Sequence, residues 1–104
     1  MKIGVSSQNF RTITGHAGKS RRFIIFSATT DKEAQETERL DLPMEMSIHA
    51  WDGQSEHPLF ALDYVITASC GEGFIRKLAS QGVTVKLTEE TDPLTAVKSL
   101  LATL

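Results

Sequence analysis

Apolar and polar positions change period several times along this chain, and each change marks an element. Ile3 and Val5 alternate with Lys2 and Gly4 before the chain meets Ser6-Ser7, which predicts a short strand over residues 1–7. From Gln8 to Arg22 the apolar periodicity disappears and two glycines enter, so the pattern predicts a loop that is long for so small a chain. Phe23-Ile24-Ile25-Phe26-Ser27-Ala28 is apolar at consecutive positions, as expected of a strand buried on both faces near the centre of a sheet.

Thr29 to Glu33 reads as a turn. The acidic stretch from Asp31 to Arg39 contains helix formers but almost no apolar stripe, so a helix there would have little to bury, and a hairpin is the better reading. Glu38, Leu40 and Leu42 then share one face and Thr37, Arg39 and Asp41 the other, giving a half-exposed edge strand that Pro43 ends. Residues 44–58 are too irregular for one element and predict a connection wrapping an edge. Pro58 suits the first position of a short helix through Leu62, flanked by His57.

Asp63 to Ala68 is the next strand. After Ser69-Cys70-Gly71-Glu72-Gly73 a helix runs to about Gln81, with Phe74, Ile75, Leu78 and Ala79 on one face and Gly82 as its stop. Val83 to Leu87 is the last strand, and Thr91-Asp92-Pro93 caps a closing helix striped by Leu94, Val97, Leu101 and Leu104, with Leu100 broadening the stripe. Three antiparallel strands followed by strand-helix-strand-helix make an α/β fold, a mixed five-stranded sheet with helices packed on it.

Composition narrows the class. The chain has 104 residues of which 40% are hydrophobic, enough for one core and one domain over 1–104. A net charge of -2 excludes wholesale coating of nucleic acid, so any basic site is local. A lone cysteine cannot form an internal disulfide, and neither a signal segment nor a membrane-length apolar run is visible, which predicts a cytoplasmic protein with a reduced thiol and no membrane partner.

Candidate chemistry gathers where the long loop meets the core. In Thr14-Gly15-His16-Ala17-Gly18-Lys19-Ser20-Arg21-Arg22 the flanking glycines are expected to take backbone conformations closed to other residues and so hold the imidazole outward. If the first strand lies parallel to the strand of Tyr64, Ser6, Ser7 and the His16 loop leave one sheet edge beside Cys70-Gly71-Glu72-Gly73, at the kind of crevice where open α/β sheets bind ligands. Backbone N–H groups after Gly71 favour an anion there, helped by Lys19, Arg21 and Arg22.

Read in order, Met1-Lys2-Ile3-Gly4-Val5-Ser6-Ser7, Gly15-His16-Ala17-Gly18-Lys19-Ser20-Arg21-Arg22-Phe23, His57-Pro58-Leu59, and Gly71-Glu72-Gly73-Phe74 followed by Gly82-Val83 resemble the dinitrogenase iron-molybdenum cofactor biosynthesis family. That family includes the nitrogenase accessory proteins NifX and NifY and the C-terminal domain of NifB. The resemblance implies a ribonuclease H-like fold and non-catalytic carriage of an iron-molybdenum cofactor or iron-sulfur precursor cluster during nitrogenase assembly, with nitrogenase assembly proteins or apo-nitrogenase as partners and room for a homodimer. His16 takes the position of the family's Gly-His-x-Gly loop and is implied as a contact to a cluster iron. Lys19, Arg21 and Arg22 would neutralise an anionic cluster. Ser6, Ser7, Gly71 and Gly73 would line the site, and Cys70 could complete it as a thiolate, although the family has no fixed cysteine there.

Each residue also has a plainer reading. His16 could be an exposed loop histidine, Cys70 a small partly buried thiol, and the basic residues solvated charges or partners of the acidic hairpin. His49 and His57 lack the tight spacing of a zinc module. A two-metal nuclease needs carboxylates clustered on strand ends, but the first strand has none and Asp63 begins its strand. A hydrolase using Ser6 or Ser7 with His16 lacks a nucleophile elbow and an orienting acid. The second class left open is a protein-interaction module whose basic loop docks an acidic partner without binding a cluster.

Overall fold

In the computed structural model, which describes residues 1–29, 31 and 33–104, apolar side chains at period two build a sheet with two buried faces. The strands are β1 (Lys2–Ser6), β2 (Arg22–Ala28), β3 (Ala34–Asp41), β4 (Tyr64–Thr67) and β5 (Thr84–Leu87). Among the described residues they form one five-stranded sheet in the order β3-β2-β1-β4-β5. β1 pairs antiparallel with β2 and parallel with β4, and β4 is parallel to β5, so the sheet is mixed. The predicted pairing of the first strand with that of Tyr64 is therefore present, with Ile3, Gly4 and Val5 opposite Tyr64, Val65 and Ile66.

Strand β2 explains its own unbroken apolar run. Phe23 and Ile25 enter the core on one face, and Ile24 and Phe26 enter the core on the other. The first face is covered by α1 (Glu72–Ala79), through Phe74 and Leu78, and by the connection carrying Leu42, Ile48, Leu59 and Leu62. The second is covered by α2 (Pro93–Thr103), through Ala96, Val97, Leu100 and Leu101.

β3 is the edge strand that the hairpin reading predicts. Thr29 N–H donates to the Glu33 carbonyl (3.0 Å) to close the turn, of which Thr30 and Lys32 lie outside the described residues. Most of its side chains are exposed, while Leu40 packs on the core of Phe23 and Leu42 is buried there. A register shift between Ile25 and Phe26 leaves Thr37 unpaired across the ladder, and its hydroxyl donates to the Ile25 carbonyl (3.3 Å).

Two helical details differ from expectation. In α2 the buried set is Pro93, Ala96, Val97, Leu100 and Leu101, while Leu94 and Leu104 are 37% and 49% exposed. Asp92 caps the helix as expected, accepting from Thr95 N–H (2.9 Å), and the stripe is rotated because the residues that pack with Ile3, Val5, Ile24 and Phe26 are Ala96, Val97, Leu100 and Leu101. In α1, Ala79 is exposed and the helix stops there, before Gln81, with Gly82 at φ +79 in the turn that leads to β5.

Candidate functional site

The loop after β1 and the turn after β4 meet because their strands are parallel neighbours, and three side chains near the junction join them. Ser6 Oγ donates to the Thr14 carbonyl (2.6 Å) and lies 2.7 Å from Thr67 Oγ1, while Ser7 Oγ donates to the Thr12 carbonyl (2.6 Å). Ser6, Ser7 and Thr67 are fully buried. Ser6 and Ser7 therefore hold the base of the loop and are not among the residues lining the cavity beside it.

Above this base the backbone of the His16 loop is fastened to Ser69. His16 N–H donates to Ser69 Oγ (2.9 Å) and Ala17 N–H to the Ser69 carbonyl (3.1 Å), with Ala17 fully buried. A Cβ on Gly15 would collide with Ser69 Oγ, so this glycine is required by close approach. Neither Gly15 nor Gly18 has a positive φ. His16 itself, at φ +55, is left-handed, as is Phe10 earlier in the loop at φ +56. Non-glycine residues adopt that region at a cost, and such strain concentrates at functional sites. Here the His16 carbonyl accepts from the N–H groups of Lys19 (2.9 Å) and Ser20 (3.1 Å), which holds the turn, and the imidazole is left exposed.

The exposed face of this junction opens into a cavity of about 670 Å³. One wall is His16, Gly18 and Lys19; the second is Ser69, Cys70, Gly71, Gly73, Phe74 and Lys77; the third is Ile48 and His49. The predicted meeting of His16 with Cys70, Gly71 and Gly73 at one sheet end is thus present. Gly71 is the N-cap of α1, so the orphan N–H groups of that helix adjoin the cavity. Cys70 is half-buried against the core of Phe74, and burial pushes its thiol pKa up.

Arg21 and Arg22 do not line the cavity. Arg22 is engaged at the β3 edge: its Nε lies 3.4 Å from Asp41 Oδ1, it donates to the Gln8 carbonyl (3.0 Å), and its guanidinium sits 5.4 Å from the Phe10 ring centroid. The pairing with the acidic hairpin is the plainer reading of that charge. Positive charge at the cavity comes instead from Lys19 and from Lys77, whose Nζ is 5.8 Å from the Trp51 ring centroid.

His49, weighed in the sequence only as a zinc partner of His57, and Lys77, not singled out there, both line the cavity. The His49 segment is anchored by buried Ile48, closed by Trp51 N–H donating to the Ser47 carbonyl (2.8 Å), and tied to the His16 loop by His49 N–H donating to the Gly18 carbonyl (2.7 Å). No local pattern in the sequence places His49 there, since its segment has no regular period and its position depends on the distant Gly18. His57 has a different fate. It is buried, its Nδ1 accepts from Leu59 N–H (3.1 Å) and its Nε2 donates to the Met46 carbonyl (2.6 Å), so it caps the 3-10 turn Pro58–Ala61.

Asp63, the acid nearest the start of β4, accepts from Lys2 N–H (2.8 Å) at the N-terminal ends of the parallel strands, the sheet end opposite the cavity. Among the described residues no helix is long and apolar enough to cross a membrane.

Solved proteins share this architecture. A candidate dinitrogenase from Methanocaldococcus jannaschii superposes with a TM-score of 0.70 at 13% identity, over 99% of this chain and 89% of that one. A candidate NifB protein from Thermotoga, assigned to the DUF35 family, superposes with a TM-score of 0.60 at 14% identity, over 98% and 87%. At these identities the likeness is one of fold. No curated protein matches the chain. The sequence profile of one family runs through both halves of the cavity, from the His16 loop to the turn at Cys70 and on to α2. With residues 1–103 matched, the chain belongs to the dinitrogenase iron-molybdenum cofactor family.

Proposed function

We propose that the protein is a non-catalytic carrier that binds an iron-molybdenum cofactor, or an iron-sulfur precursor of it, as cargo in the cavity between the His16 loop and the turn at Cys70. The observation that carries this reading is His16: an exposed imidazole without a hydrogen-bond partner among the described residues, held in a left-handed conformation at the wall of a cavity that also has Lys19 and Lys77. A neutral imidazole nitrogen is a good ligand for iron, and the two ammonium groups offset the charge of an anionic cluster. Few protein ligands and an open face suit a carrier, which must release what it holds.

A hydrolase reading is disfavoured because the Ser6 and Ser7 hydroxyls are committed to Thr14 and Thr12 at the base of the loop. A two-metal nuclease is disfavoured because Asp63 sits at the opposite sheet end. We assign the fold to the ribonuclease H-like class on the strand order β3-β2-β1-β4-β5 with its antiparallel and parallel halves. Cargo exchange with nitrogenase assembly proteins in the cytoplasm follows from the same reading.

Anaerobic incubation with isolated iron-molybdenum cofactor tests it. Colour co-eluting with the protein, and lost from the His16→Ala variant, is the expected result. A colourless protein indistinguishable from its His16→Ala variant would overturn the carrier. Salt-sensitive binding of an acidic protein that depends on Arg21 and Arg22 and not on His16 would support docking in its place.

A further inference from the structure

The cavity draws its histidine and cysteine side chains from three separate segments. His16 comes from the loop after β1, Cys70 from the turn after β4, and His49 from the segment ahead of the 3-10 turn. Like His16, the His49 ring is exposed and has no hydrogen-bond or ion-pair partner among the described residues. The backbone that carries it is nevertheless fixed, since Ile48 is buried and the His49 N–H donates to the Gly18 carbonyl.

Yet among the described residues no three His, Cys, Asp or Glu side chains converge as a site for one metal ion. A single protein-held ion needs three or four donors within about 2.0–2.3 Å of one point. Donors that share a cavity of about 670 Å³ without converging fit an occupant with several metal atoms, each of which can take one ligand. Lys19 and Lys77, on different walls, make that occupant an anion.

Resting on the carrier reading above, we infer that His49 is a second metal-contacting residue, so that the cluster cargo is held between His16 and His49. The two imidazoles bind different metal atoms of the cluster. The backbone bond from His49 to Gly18 couples their segments, so neither ligand moves independently of the other.

Alanine at position 49 removes the imidazole and keeps the backbone bond to Gly18, so the variant isolates the ring; an unchanged urea midpoint confirms that it folds. Isolated iron-molybdenum cofactor is titrated anaerobically into protein carrying nitrogen-15 histidine, and pulsed EPR reads imidazole nitrogens coupled to the cluster spin. Two couplings are expected in the parent protein and one in each of His16→Ala and His49→Ala, with cofactor affinity at least about 10-fold weaker in each. Cobalt(II) is expected to form no tight one-to-one complex.

Parent-like affinity and an unchanged nitrogen signal in His49→Ala, alongside impairment in His16→Ala, would overturn the role of His49 and leave the carrier reading standing. A tight cobalt(II) complex lost in either histidine variant would overturn a cluster held between the two histidines. Failure of the parent protein to take up the cofactor would sink both.

Discussion

Gly15 lets the His16 loop approach Ser69, and His57 caps the 3-10 turn away from the cavity. Because a Cβ on Gly15 meets Ser69 Oγ, Gly15→Ala forces the loop and the turn at Ser69 apart and is expected to cost about 1–3 kcal/mol, the usual range for overpacking. Gly18→Ala, with only an ordinary contact to Phe74 awaiting it, should stay within about 0.5 kcal/mol. Urea denaturation of the two variants separates a packing requirement from a general one, and equal midpoints would show that the Ser69 turn yields freely.

His57 is held neutral by geometry, one nitrogen accepting and the other donating, and burial lowers its pKa from the ordinary 6.5 while the bond to Met46 opposes the shift. The unfolded chain therefore takes up a proton that the folded one refuses. Stability conferred by this group is complete above pH 6.5 and falls as pH drops from 6.5 towards the lowered folded value, below which the loss levels off. Melting temperatures followed across that window should decline in the parent and decline less in His57→Asn, which can still cap Leu59. A parent curve no steeper than the variant's would count against this assignment.

Among the elements, α2 shows how packing on the sheet decides which part of an apolar stripe is buried. Leucine periodicity selects Leu94 and Leu104 along with Val97 and Leu101, but the sheet face carrying Ile3, Val5, Ile24 and Phe26 takes Ala96, Val97, Leu100 and Leu101, with Pro93 also buried. Leu101→Ala should accordingly cost about 2–5 kcal/mol, as for other buried leucines, whereas Leu94→Ala, at a site 37% exposed, should cost about 0.5 kcal/mol or less. Equal unfolding midpoints for the two would restore the simpler stripe. β2 is the opposite case: Phe23 to Phe26 is apolar without alternation because both faces are covered, by α1 and its connection on one side and α2 on the other, so its period was a direct reading of its surroundings.

Taken as a whole, the molecule carries a net charge of -2 but concentrates ammonium groups at one cavity. Uptake of an anionic cargo should therefore weaken as ionic strength rises, and Lys19→Glu or Lys77→Glu should weaken it further at low salt, by about 10-fold if each interaction is worth roughly 1.4 kcal/mol. Titrating cofactor into the two variants over a salt series checks this, and an affinity indifferent to salt and to both charge reversals would remove electrostatics from the account. Arg22→Glu, at the β3 edge beside Asp41, is the matching control and should leave uptake unchanged.

Much of the fold was legible because local chemistry determines it: the period of two in β1, the unbroken apolar run of β2, proline after a capping residue at α2, proline at the first position of the 3-10 turn, and the absence of an apolar stripe between Asp31 and Arg39. The meeting of His16 with Cys70, Gly71 and Gly73 was legible too, since it needs only that β1 and β4 be parallel neighbours. Tertiary structure alone decided the rest. It turned Ser6 and Ser7 inward to hold Thr14 and Thr12, drew Arg22 to Asp41, and brought His49 and Lys77 to the cavity. Those outcomes depend on contacts between segments far apart in the chain, where no local period or propensity acts, and where burial of one neighbour, such as Ile48, fixes the exposure of the next.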